Sequence, residues 1–199
     1  MSRLSRDDIV AGAGRRFALY GYHGTSMRDL GDDLGILGSS IYAHIGGKQE
    51  LLVAVVERGA AFFEASATRA LESATQPLEI LRLLIEGHID VLVDHRSEAR
   101  TYLTESFFLD EAERTKIIAA RDAYEQVFVD TIEAARNSGE ARADLDPKLA
   151  AIYVLSILNA IERWYDGRGR VSRTALGADV TSFVCQGVCG DSQQLTTDG

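Results

Sequence analysis

Between Thr25 and Lys48 the chain reads TSMRDLGDDLGILGSSIYAHIGGK, and the side chains with chemistry to offer there are hydrogen-bond donors and cations. Ser39 and Ser40 are short, so a backbone carrying them can approach base edges closely. Tyr42, His44 and Lys48 are longer and can reach phosphates. That is the usual division between base reading and phosphate positioning. The elements that must hold these groups are two short helices around a glycine turn. Thr25 is a good N-cap for a helix over 26–34, whose first amides offer a seat for a phosphate. Met27, Leu30 and Leu34 lie at helical spacing and face inward, which turns Ser26 and Arg28 outward. Gly35 permits the tight turn and Ile36 fills the gap between the helices. A second helix over about 38–44 keeps Ile41 and Ile45 inside and exposes Gly38, Ser39, Ser40, Tyr42 and His44. The arrangement is a helix-turn-helix able to enter a DNA major groove.

The rest of the chain also reads as helix. Ser5 and Asp8 have capping-box spacing, and a first helix from there buries Ile9, Val10, Ala13 and Phe17 before stopping at Gly21. A long fourth helix runs from about Lys48 to Ser73, with Leu51, Leu52, Val55, Val56, Phe62 and Phe63 inward. Further helices are predicted over about 78–94, 97–108 and 110–138. Asp146 caps one that begins at Pro147 and runs to Trp164, and a last helix over 173–188 carries Leu176, Val180, Phe183, Val184 and Val188 on one stripe. Apolar residues surround the 147–164 helix, so it needs cover on two sides, one from its own core and one from a second subunit. The last two helices of each chain can build an isologous four-helix interface. The expected fold is all-α: a DNA-binding domain of three helices in residues 1–47, a helical ligand-binding and dimerisation domain in 48–190, and a disordered tail in 191–199.

At 199 residues and 46% hydrophobic, the chain can bury a sizeable core. It has no run of about 18 uncharged apolar residues and no apolar leader, which predicts a cytoplasmic protein without a membrane partner. Cys185 and Cys189 are too few for a disulfide framework. The net charge of −9 is unevenly spread. Residues 1–52 hold six basic and six acidic side chains, whereas the remainder holds 15 basic and 24 acidic ones. A neutral head with basic groups toward the duplex can bind DNA while the acidic body disfavours non-specific coating.

The segment GTSMRDLGDDLGILGSSIYAHIGGKQELLVAVVE resembles the tetracycline-repressor-like (TetR) regulators. The resemblance is carried by Thr25, Gly35, Ile36, Ile41, Tyr42, His44, Lys48, Leu51 and Leu52, with FALYGYHGTS at 17–26 similar to the end of that family's first helix. It implies DNA contacts from Thr25, Arg28, Ser39, Ser40, Tyr42, His44 and Lys48, and repression as the usual output. Three positions depart from the pattern: Leu37 stands where a Ser cap is usual, Ile45 where Phe is, and Gly47 where a second Ser cap is. Loss of a side-chain cap costs about 1 kcal/mol, which predicts a recognition helix slightly frayed until DNA orders it.

Aromatic and polar residues recur on faces expected to point inward: Phe62, Phe63, His88, Tyr102, Phe107, Phe108, Tyr124, Phe128, Asn159 and Trp164. A mostly apolar cavity with a few polar groups is the usual make-up of a small-molecule site, and an aromatic core is the simpler alternative. The stretch from Ile152 to Val188, with its Arg163-Trp164-Tyr165 run and Gly-rich turn, is similar to the branch of the family that responds to acyl-CoA thioesters. That likeness implies a thioester effector whose phosphates Arg163, Arg168 and Arg170 could meet. Competing expectations are a metal- or redox-responsive regulator using Glu86, Asp90, Asp94, His88, His95 or the two cysteines, and a helical enzyme. No HExxH, paired Glu-x-x-His or nucleophile elbow supports the enzyme, and neither a cofactor nor a metal is called for.

Overall fold

The computed structural model describes residues 5–189, and among these the chain forms α-helices and one 3₁₀ turn, with no strand. The tail expected over 191–199 lies outside the described residues. The elements are α1 (Arg6–Tyr20), α2 (Met27–Leu34), α3 (Gly38–Ile41), α4 (Lys48–Ser73), α5 (Pro77–Asp94), α6 (Arg96–Thr104), the 3₁₀ turn Ser106–Phe108, α7 (Glu111–Ser138), α8 (Pro147–Trp164) and α9 (Arg173–Cys189). Local chemistry explains where several begin. Ser5 and Asp8 close a full capping box on α1. Asp146 accepts from the Leu149 amide, and Pro147 occupies the first turn of α8.

Packing divides the chain into two compact units that are not contiguous in sequence, one of residues 1–62 and 95–121, the other of 63–94 and 122–199. The division expected at Lys48 follows chain order instead, whereas α4 and α7 each run through both units.

In the first unit, α1 buries Ile9, Val10, Ala13 and Phe17, and packs on α2 and α6. Arg16 reaches across from α1 to α2, 2.7 Å from Asp33 and 3.6 Å from Asp29. The stretch expected as one helix over 97–108 breaks after Thr104. Its end folds as the 3₁₀ turn, which leaves Phe107 exposed and Phe108 half-buried. Helical periodicity does not continue through such a turn, so Phe107 is not inward as expected.

In the second unit, α5 is central, with Leu81, Leu84, Ile85, Ile89 and Leu92 buried and α8 and α9 packed against it. Arg173 at the start of α9 bridges Asp90 and Asp94, and Arg82 holds Glu79 and Glu86. The three carboxylates considered for a metal are thus occupied by guanidinium groups. Among the described residues, no three His, Cys, Asp or Glu side chains gather as a metal site, and no helix is long and apolar enough to cross a membrane.

Helix α8 buries only one stripe: Ala150, Ala151, Val154, Leu155, Leu158, Ile161 and Glu162. Its other faces leave Leu149, Ile152, Tyr153, Asn159, Arg163 and Trp164 exposed. Trp164 is therefore not inward within the chain, because an apolar surround gives periodicity nothing to discriminate, while Asn159, exposed overall, still lies beside the buried His88. Phe183, at the edge of the predicted stripe of α9, faces solvent. Leu176, Gly177, Thr181, Val184 and Val188 are buried while Phe183 is 67% exposed.

Candidate functional site

The site grows from a close approach of two glycines. A Cβ on Gly31 of α2 would lie 2.6 Å from the Gly38 nitrogen, and one on Gly38 would lie 2.9 Å from the Met27 carbonyl oxygen. Only backbones without side chains cross this tightly. Gly35 between them has φ +67°, the left-handed turn that glycine adopts without strain. Ile41 and Ile45 are fully buried beneath α3. With the apolar side anchored, Ser39 and Ser40 are exposed, Tyr42 is 54% exposed and His44 is half-buried. Gly38, predicted as an exposed contact, is half-buried and faces α2. Its importance here is the space it leaves.

The cap of α2 falls one residue later than expected. Ser26 is the N-cap, its side chain accepting from the Asp29 amide while the Ser26 amide donates to the Asp29 carboxylate. Thr25 is buried and donates its hydroxyl to the Gly21 carbonyl. This capping box puts the Asp29 carboxylate at the end of α2 where the sequence predicts a seat for a phosphate. Bonds from the Ser26 side chain and then its amide hold Asp29 below the ordinary carboxylate pKa. The exposed Arg28 carries the positive charge at this end.

Helix α3 is shorter than expected, ending as an α-helix at Ile41, with no side-chain cap from Leu37. Bonds from the Ala43 amide to Ser40 and from His44 to Ile41 continue it as tighter turns through His44. Lys48 is half-buried, its ammonium 4.2 Å from the centre of the Tyr22 ring, and burial lowers its pKa. Tyr22 is clasped in turn: its amide donates to Glu105 at 2.7 Å, its hydroxyl donates to Gln49 at 2.7 Å, and its ring stacks on Phe108. The Gln49 amide closes the circuit by donating to the Phe108 carbonyl. Nothing in helical periodicity could have found this clasp, because Tyr22 and Glu105 are 83 residues apart.

Of the ten residues considered for a ligand, Phe63, His88, Tyr124 and Phe128 come together in the second unit. His88 is buried, with Nδ1 3.1 Å from the Tyr124 hydroxyl and its ring 4.7 Å from that of Phe63. Tyr124 lies edge-on to Phe128 at 5.4 Å. Burial holds the imidazole neutral, with a pKa down to about 3, and the neighbouring Asn159 side chain opposes that pull. Nε2 itself is buried without a hydrogen-bond partner. Phe62, Tyr102 and Phe107 belong to the first unit. There Phe62 stacks on His95 at 3.6 Å, and Arg121 lies over the Tyr102 ring and donates to its carbonyl. Arg163 and Trp164 are exposed at the end of α8. Burial raises the pKa of both Cys185 and Cys189, which leaves less of the thiolate that binds metals or reacts with oxidants.

A family model described as "Bacterial regulatory proteins, tetR family" matches residues 9–55, and one described as "Tetracyclin repressor-like, C-terminal domain" matches residues 74–188. The HTH-type transcriptional repressor KstR2 of Mycolicibacterium smegmatis is 25% identical over 184 residues, covering 92% of this chain and 90% of that one. The structure of the ketosteroid transcriptional regulator KstR2 of Mycobacterium tuberculosis has a TM-score of 0.89 at 23% identity, covering 96% and 98% of the two chains. That of AibR in complex with isovaleryl coenzyme A and operator DNA has a TM-score of 0.81 at 24% identity, covering 92% and 97%. At these identities the two structures speak for the fold alone.

Proposed function

The chain belongs to the tetracycline-repressor-like family of DNA-binding transcriptional regulators, and from that premise we propose a repressor that holds a palindromic operator as a homodimer and leaves it when a small apolar or acyl-CoA effector binds. The observation that carries this reading is the head itself: Ile41 and Ile45 lock α3 from beneath while Ser39, Ser40 and Tyr42 face outward. Residues 1–47 read DNA through Ser26, Arg28, Ser39, Ser40, Tyr42 and His44, with Lys48 at the start of α4 on a phosphate. Thr25 and Gly38 serve by holding the two helices in place.

Residues 48–190 sense the effector and pair the subunits. An apolar groove of about 310 Å³ runs along α8 and α9, lined by Tyr153, Val154, Ile157, Phe183 and Val184. Its self-complementary partner is the same face of a second copy. Phe63, His88, Tyr124 and Phe128 offer an effector an apolar wall with one unpaired imidazole nitrogen. Arg163, Arg168 and Arg170 supply cations at the end of α8 and in the turn beyond it. AibR, of the same fold, holds isovaleryl coenzyme A, and a thioester is the effector class proposed here.

An effector changes DNA binding only if it prefers the DNA-incompetent arrangement. Helix α4 carries Lys48 at one end and Phe63 further along, so a tilt of this helix moves the head. Two heads must sit about 34–36 Å apart to reach successive major grooves, and a change in that distance loses the second contact. The test is thermal shift and operator retardation with acyl-CoAs of graded chain length. Stabilisation with release from DNA is expected. A response to an unrelated drug and to no thioester defeats the effector class, and failure to bind any duplex defeats the regulator.

A further inference from the structure

Leu37 is 74% exposed at the amino end of α3, next to the exposed Ser39 and Ser40. Single exposed apolar side chains are common on protein surfaces, but this one occupies a position with a better local choice. The residue is extended, at φ −67° and ψ 136°, and is the N-cap of its helix, yet it provides no side-chain cap. A Ser, Thr, Asp or Asn there would accept an amide bond worth about 1 kcal/mol. Leucine gives up that bond and also exposes an isobutyl group to water. Two local rules broken at one position, whose side chain stands mostly in solvent, point to a compensation that comes from outside.

The surroundings say what can supply it. Gly38 is held against the α2 backbone, and the side chains that follow are only hydroxymethyl groups. In a major groove the longest apolar reach from this end of α3 is therefore that of Leu37. The major-groove edge of a base pair offers one apolar feature, the C5-methyl group of thymine, and an apolar side chain is what recognises it.

We propose that Leu37 is a specificity-determining residue that packs on a thymine methyl in each half-site of the operator. The proposal rests on the DNA-reading role of α3. Burying one methyl group is worth about 0.8 kcal/mol, which converts to roughly a fourfold change in affinity per half-site.

The experiment starts from an operator selected from a randomised duplex pool. Each thymine of a half-site is replaced in turn by deoxyuridine, which lacks only the methyl, and affinities are measured for the wild type and for Leu37→Ser. Serine restores a cap, so a merely structural role predicts a more stable head with base discrimination unchanged. The expected result is one thymine position whose replacement weakens the wild type roughly fourfold while Leu37→Ser does not distinguish the two duplexes. Discrimination that survives in Leu37→Ser overturns the proposal, as does a wild type indifferent to every replacement on an operator it binds tightly. Failure of selection to yield any preferred duplex overturns the DNA-reading role itself, and this contact with it.

Discussion

His88 illustrates how one residue can tie an interior to pH. Its Nδ1 meets Tyr124, its Nε2 is buried without a partner, and its pKa is drawn from 6.5 to about 3 by burial. Between those values the unfolded chain binds a proton at this position that the folded chain refuses. Stability from this group is thus fully present above pH 6.5 and falls as pH drops toward 3, by at most about 1.4 kcal/mol per pH unit. A His88→Phe variant keeps a ring beside Phe63 and Phe128 but has no proton to take up. Its melting temperature is expected to fall less between pH 7 and pH 5 than that of the wild type. Parallel acid limbs for the two proteins show that the imidazole is already charged in the folded state. The same unpaired nitrogen is the polar handle proposed for an effector, and a bound acyl chain, which shields the imidazole further from water, should leave the pH difference between wild type and variant in place.

The helices themselves were largely legible, because caps, prolines and apolar spacing act locally. Ser5 with Asp8, and Asp146 with Pro147, start α1 and α8 where those rules place them. Legibility fails where the deciding contact is distant or where two local solutions compete. Thr25 and Ser26 both suit an N-cap, and Asp29 decides between them by closing a box on Ser26. Trp164 faces solvent against expectation because an all-round apolar helix carries no sign of which side its own chain covers, and Phe183 does so because it sits at the edge of its helix's apolar stripe. Gly31 gave no signal beyond being a glycine inside a helix, a choice that costs about 1 kcal/mol against alanine and so hints at a packing reason. That reason is the Gly38 backbone. In a Gly31→Ala variant the new methyl would press on Gly38 and on the Ile36 carbonyl oxygen at 2.8 Å or less, and a backbone cannot give way as a side-chain tip can. Overpacking of this kind costs about 1–3 kcal/mol. Operator affinity is expected to fall at least tenfold while far-ultraviolet circular dichroism keeps its helical signal. Undiminished affinity in Gly31→Ala would mean that the angle between α2 and α3 does not govern reading.

Scaled up to the whole molecule, the uneven charge and the uncovered apolar face make one design. Beyond residue 52 acidic groups outnumber basic ones by 24 to 15, so a single copy has only a neutral head with which to hold a polyanion. Weak attraction by one head suits specificity, since tight binding then requires two heads engaged at once. In the proposed dimer, pairing uses the side chains that α8 and α9 leave in solvent, notably Tyr153 at 63% and Phe183 at 67% exposure. Phe183→Glu places an unpaired carboxylate in that contact without touching the interior of the subunit. The variant is expected to be monomeric by light scattering, with a melting temperature that no longer rises with protein concentration. Its affinity for the full operator should drop to that for an isolated half-site, because the second head no longer binds as part of the same molecule. The alternative, in which each head acts alone, predicts equal affinity for half and full sites in the wild type and in Phe183→Glu. A Phe183→Glu protein that remains dimeric would move the interface elsewhere on the chain.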